Sequence, residues 1–160
     1  MFLLKKSLED LNIEYTQFVD SRQITPNRKP WTCLSFFKVS EIKALMGFGV
    51  EQKSAHEKEV PFGILASPKV VVRSFLRSLF DGDGGVEKGS ISYCTSSEKL
   101  ARQLQVLLLS FGVISRKKFR PNEKKGAYHL HISGLAARTF VQEIGFNIPS
   151  KAQKANILCS

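Results

Sequence analysis

Apolar positions along the chain recur at two spacings, and the alternation between them sets out the elements. Leu4, Leu8 and Leu11 fall on one face of a helix over 2–12, with Lys5, Lys6, Glu9 and Asp10 elsewhere. Residues 13–19 alternate as a strand, and 31–39, rich in aromatic and β-branched side chains, predict a second. The polar stretch between them holds Pro26, Asn27 and Pro30 and reads as a connection. Ser40 is placed to cap a short helix with Ile42, Leu45 and Met46, closed by Gly47-Phe48-Gly49. A charged connector over 50–60 leads to the central helix. There Ser67 is expected to cap and Pro68 to occupy the first turn, followed by Val71, Phe75, Leu76, Leu79 and Phe80. Asp81-Gly82-Asp83-Gly84-Gly85 should stop that helix.

Beyond it, 86–88 and 90–95 form a hairpin about Gly89. Leu100, Leu104, Leu107, Leu108 and Phe111 make the apolar stripe of a helix over 97–111, ended by Gly112. Strands over 113–120 and 127–132 flank a polar turn, Ser133 is placed to cap a helix through Ile144, and the tail from Asn147 holds one more short helix. The order helix, strand, strand, helix therefore occurs twice. Leu4, Leu8, Leu11 and Ile13 correspond to Leu104, Leu108, Phe111 and Val113; Phe37, Val39 and Ser40 correspond to Leu130, Ile132 and Ser133; both copies end in Gly-Phe. The pattern is that of an α+β protein with antiparallel sheets.

Length and apolar content suit a folded domain, and no apolar run reaches membrane-spanning length, so a cytoplasmic protein is expected. Cys33, Cys94 and Cys159 follow neither a zinc nor a disulfide pattern. The net charge of +10 favours polyanionic partners, nucleic acid first among them. The basic residues do not gather on one amphipathic helix, which disfavours a membrane surface.

Two acids at the C-terminal end of a buried helix oppose the helix dipole. A compensating cation is expected there, and a divalent metal with oxygen ligands is the natural candidate. Leu76-Arg77-Ser78-Leu79-Phe80-Asp81-Gly82-Asp83-Gly84 resembles the signature of the LAGLIDADG homing endonucleases, specifically the second motif of the kind found inside inteins. Lys58-Glu59-Val60-Pro61 resembles the family's upstream block. Tyr93 to Ala101 and Leu107 to Val113 resemble its downstream strand and helix. The resemblance runs from about Lys58 onward. It implies the family fold, an α-β-β-α-β-β-α module with saddle-shaped antiparallel sheets. Residues 61–160 would form a complete second repeat, and 1–60 a partial first repeat without a signature helix. By that phase roughly thirty to forty residues of a two-repeat protein are absent.

What the resemblance implies for function is a site-specific, double-strand DNA endonuclease, or the C-terminal piece of a split one, in a prokaryotic, archaeal or phage setting. Asp83 with Gly82 would hold Mg2+ or Mn2+, Lys58 and Lys151 would be the active-site lysines, and Asp81 would support the helix end. Ser74, Ser78, Phe75 and Leu79 would pair with a second signature helix, from an N-terminal partner chain or a second copy. Splicing is not expected, since no splice-junction residues stand at either end. DNA contact is expected from the strands. Arg116, Lys118 and Arg120 share one face of a regular strand. Lys88, Ser90, Ser92, Asn122, Lys124, Lys125, His129 and His131 are further candidates, with Glu87 beside them, and the two histidines suit packing or phosphate contact better than a metal. The alternative is a non-cutting relative, either a maturase-like RNA binder or a DNA-binding regulator.

Overall fold

The computed structural model describes residues 2–20, 31–35, 38–87, 89–121 and 126–157. They form two compact units, 1–50 and 51–160. In the first, helix α1 (Phe2–Asp10) is followed by strands β1 (Thr16–Asp20) and β2 (Trp31–Ser35), paired antiparallel from Thr16↔Ser35 to Asp20↔Trp31, and by helix α2 (Val39–Gly47). Val39, matched to Ile132 in the repeat, opens α2 instead of closing a strand. Ser40 therefore lies inside the helix. Lys38 takes the cap position, with no side-chain hydrogen bond that caps the helix. The connection over 21–30 lies outside the described residues.

The second unit contains a short helix α3 (Phe62–Leu65), the central helix α4 (Lys69–Asp83), the hairpin β3 (Gly84–Glu87) and β4 (Ser90–Thr95), and helix α5 (Glu98–Leu109). Strands β5 (Arg116–Arg120) and β6 (Ala127–Ser133) and helices α6 (Leu135–Glu143) and α7 (Pro149–Asn156) complete it. The sheet order is β3-β4-β6-β5, every neighbour antiparallel. Period-two alternation places Ile91, Tyr93, Leu130 and Ile132 in the core, where they meet Leu76, Phe80, Leu104, Leu108 and Phe140. Phe80 packs at a tilt against Phe140 at 4.8 Å and Tyr93 at 5.3 Å between ring centroids. The helices thus cover one face of the sheet and leave the other open.

Several local expectations change. The buried stripe of α4 is Val72, Leu76 and Phe80; Val71 is exposed, while Phe75 and Leu79 flank the core. Pro68, at φ −56° and ψ 153°, occupies the cap position, so Ser67 cannot cap. Its hydroxyl donates back to the Gly63 carbonyl at 2.6 Å, closing α3. At the start of α6, Gly134 (φ 58°) takes the cap position expected for Ser133, which ends β6. Ser97 does cap α5, accepting from the Leu100 N–H at 3.2 Å.

Candidate nucleic-acid interface and the end of the central helix

Asp81-Gly82-Asp83 does not stop α4. The helix continues through Asp83, and Gly84, in extended conformation at φ −79° and ψ 149°, leads directly into β3. Glycine is required there by close approach, since a Cβ at Gly84 would lie 2.5 Å from the Phe80 carbonyl oxygen. Gly82 and Asp83 are consequently carried to the surface at the start of the sheet. Tyr93 pairs with Gly84 across the hairpin. Its hydroxyl pKa is pushed up to about 12, first by burial and then by the Asp83 charge, which places that carboxylate close by.

The two remaining candidates of this region have defined jobs. The ammonium of Lys151, on α7, donates to the carbonyl oxygens of Phe80 (3.0 Å), Asp81 (2.7 Å) and Gly84 (2.5 Å). All three ammonium donors are thereby directed at the C-terminal end of α4, whose last turn has no basic residue of its own. In return Asp81 accepts from the backbone N–H groups of Asn147 (3.1 Å) and Ile148 (3.3 Å) at the start of α7. A positive group therefore sits on the negative end of α4 and a negative group on the positive end of α7. A cation of the chain itself thus caps the carbonyls of this helix end. Sequence reading missed this because Lys151 lies far away in the chain.

Lys58 reaches the same end of the sheet by another route. Its carbonyl accepts from the buried Ser97 hydroxyl at 2.5 Å, and the Val60 N–H donates to Gln103 at 2.8 Å. Glu59 pairs with Lys53 and Lys99, which hold its carboxyl down to about 2. The connector is thus fastened to the start of α5. The Lys58 side chain is exposed.

The open face of the sheet gathers most of the remaining candidates. Strand register sets Gly85, Ser92, His131 and Arg116 on one rung, and Cys94, His129 and Lys118 on the next, all facing away from the core. Ser90 and Arg120 extend the two rows. Arg116, Lys118 and Arg120 are exposed, and Ser90, Ser92, His129 and His131 are half-exposed. The histidine rings stack at 6.4 Å, and the Cys94 sulfur lies 3.6 Å from His129 Nε2, a contact the sequence did not suggest. Lys117 points the other way and pairs with Glu98 at 2.9 Å. With Arg102 adding to Lys117, the Glu98 carboxyl is held at about 2. Lys88, Asn122, Lys124 and Lys125 lie outside the described residues. On α4, Ser74 and Ser78 are exposed and Phe75 and Leu79 half-buried, along a flank separate from the core stripe.

Residues 70–145 match the profile of the LAGLIDADG-like domain. The chain carries a LAGLIDADG-like domain. Its fold is that of the homing endonuclease I-DmoI. The crystal structure of I-DmoI with DNA and Mn superposes with a TM-score of 0.64 at 15% identity, over 90% of this chain and 71% of that one. The structure of I-DmoI with DNA and Ca also gives 0.64, at 16% identity, over 97% of this chain and 73% of that one. Among curated relatives, Replication factor C small subunit of Methanocaldococcus jannaschii is 40% identical over 109 residues, 66% of this chain but 6% of the relative. Elongation factor 2 of Methanopyrus kandleri is 36% identical over 105 residues, 64% of this chain and 8% of the relative. The chain thus spans a small part of these relatives' length. Among the described residues, no helix is long and apolar enough to cross a membrane.

Proposed function

We propose that this domain binds duplex DNA on the open face of the β3-β4-β6-β5 sheet and takes part in metal-dependent cleavage of its backbone at the end of α4. The observation that carries the reading is the shared face. Three exposed basic side chains on β5, two histidines on β6 and two serines on β4 point to one side, while the same sheet begins at an exposed Asp83. An antiparallel ribbon of this kind fits the major groove, with cations for phosphates and small polar groups for base edges.

The donor set at the helix end suits a hard cation that keeps most of its water. Among the described residues no group of three His, Cys, Asp or Glu side chains is arranged to hold a metal. Asp83 supplies one carboxylate and Gly82 a carbonyl that is not among the three Lys151 takes. Magnesium or manganese is held by one or two carboxylates together with substrate phosphates, so one acid per helix suffices when a second acid-bearing helix joins the exposed flank of α4. The bound ion would supply activated water and neutralise charge on the leaving oxygen. Lys58 would add positive charge at the scissile phosphate. Lys151 acts instead through α4, fixing the turn that bears Asp83.

The relatives support a mobile origin. A segment shared by proteins named as differently as a replication factor and an elongation factor, and occupying 6% and 8% of them, behaves as an inserted module of the intein-associated kind. A non-cutting nucleic-acid binder is the second reading, favoured by the single acid and by the engagement of Lys151. Incubation with a randomised duplex library and Mg2+ or Mn2+, with and without a signature-helix partner, tests the proposal. Cleavage by the native chain that is lost in Asp83→Asn, with binding retained, supports the nuclease. Binding without cleavage under every condition establishes the second reading.

A further inference from the structure

Strand alternation puts a thiol and an imidazole side by side on the open face. Tyr93 and Thr95 on β4 and Leu130 on β6 are buried, so Cys94 and His129 turn outward. Cys94 lies directly opposite His129 in the β4–β6 pair, and Lys118 of β5 lies opposite His129 on its other side. The two backbones hold this register, so neither side chain has to travel to meet the other. The Cys94 sulfur stands 3.6 Å from His129 Nε2. The thiol is exposed and the imidazole half-exposed, and both are open to a solute.

That separation has a chemical meaning. A tetrahedral zinc ion holds a thiolate sulfur at about 2.3 Å and an imidazole nitrogen at about 2.0–2.1 Å, which sets the two donors about 3.6 Å apart. We propose that Cys94 and His129 bind a divalent transition-metal ion of the zinc kind on the open face of the sheet. Sulfur and imidazole are poor ligands for magnesium and manganese, which favour oxygen, so this site is distinct from the one at Asp83. On binding, the ion gives up two waters, the thiol proton passes to solvent, and the sulfur and Nε2 take the vacated positions. Among the described residues no third His, Cys, Asp or Glu completes the set, so water fills the other positions. Arg116 and Lys118 stand on the neighbouring strand, and their charge favours the thiolate while opposing the incoming cation. Two protein ligands in that field make an exchangeable site of micromolar affinity. The bound ion and thiolate together add one positive charge to the face, so zinc should strengthen duplex binding; that consequence alone rests on the reading that DNA binds there.

The test of the site uses neither DNA nor magnesium, so its failure is separable from failure of the nuclease reading. Zn2+ alone, by calorimetry, and Co2+ alone, by absorption, are titrated into the full chain carrying Cys33→Ser and Cys159→Ser. One ion per chain is expected, with a sulfur-to-cobalt charge-transfer band, release of about one proton per ion, and an affinity that rises with pH. Cys94→Ser and Cys94→Ala should each abolish the band, and His129→Gln should weaken Zn2+ binding at least tenfold. His56→Gln, on the connector, should leave it unchanged, and the melting midpoint of each variant confirms that it folds. No charge-transfer band, a band that persists in both Cys94 variants, or equal Zn2+ affinity in His129→Gln overturns the site. In a separate arm, saturating Zn2+ should raise duplex affinity several-fold in this chain and not in its Cys94→Ser variant. Zn2+ binding with unaltered duplex affinity refutes the coupling to DNA and leaves the metal site standing.

Discussion

Replacing Lys151 with Met keeps the length and apolar stem of the side chain and removes its ammonium. Three carbonyls at the end of α4 then lose their donor, at 2.5 to 3.0 Å in the native structure. A hydrogen bond to a charged group contributes about 1.5–3 kcal/mol and a partly buried cation at a helix C-terminus up to about 2 kcal/mol. These do not add in full. Asp81 is half-exposed, so water can reach its freed carbonyl, while Phe80 and Gly84 are buried. The expected loss is about 2–4 kcal/mol, a sizeable part of a typical domain's 5–15 kcal/mol. In a chain of this size that lowers the melting midpoint by roughly 10 °C. Urea and thermal unfolding of the full chain at fixed ionic strength measure it, and Lys151→Arg should recover part of the loss. A half-buried cation is weakly screened, so the deficit should persist at high salt. If Lys151→Met melts like the native chain, the ammonium contributes nothing at the helix end and Lys151 is no cap.

The reciprocal bond predicts that Asp81→Ala costs about 0.5–2 kcal/mol through the start of α7, seen as earlier urea unfolding and faster exchange of the Asn147 and Ile148 amides. Gly84→Ala should cost about 1–3 kcal/mol, because the added Cβ meets a backbone oxygen at 2.5 Å; an unchanged melt would show that the turn can shift freely. Acid should weaken the second unit through Glu59 and Glu98. Both carboxyls are held at about 2, below their ordinary 4.5. Their stabilisation is therefore complete above about pH 4.5 and lost as the pH falls toward 2. Glu98→Gln should flatten the acid limb of a melting-temperature profile, and a profile unaltered by both Glu98→Gln and Glu59→Gln would refute this.

Much of the architecture was legible because local rules and tertiary packing agree. The leucine stripe and serine cap of α5 satisfy both, and alternation along β5 put Arg116, Lys118 and Arg120 on one face before any register was known. What escaped depends on partners distant in sequence or on small angular differences. Val71 and Val72 are equally apolar, and only the position of Phe80 against Phe140 decides which turns inward. A glycine run reads as a helix stop, yet Gly84 is needed for its missing Cβ beside Phe80, and the helix runs on past Asp81 through Asp83. The ammonium that caps the end of α4 arrives from α7, 67 to 71 residues away from the carbonyls it meets. No local pattern announces such a contact.

Duplex binding as a function of salt tests the open face most directly. The native chain should bind DNA with an affinity that falls steeply as salt rises, and Arg116→Glu with Lys118→Glu should weaken it at least tenfold and lower the log–log slope by about 2. Arg102→Glu, on the helical side of the sheet, should leave both quantities close to native. Equal affinity and slope in the doubly substituted and native chains would contradict the account, because nucleic acid would then be held somewhere other than on β5 and its neighbours.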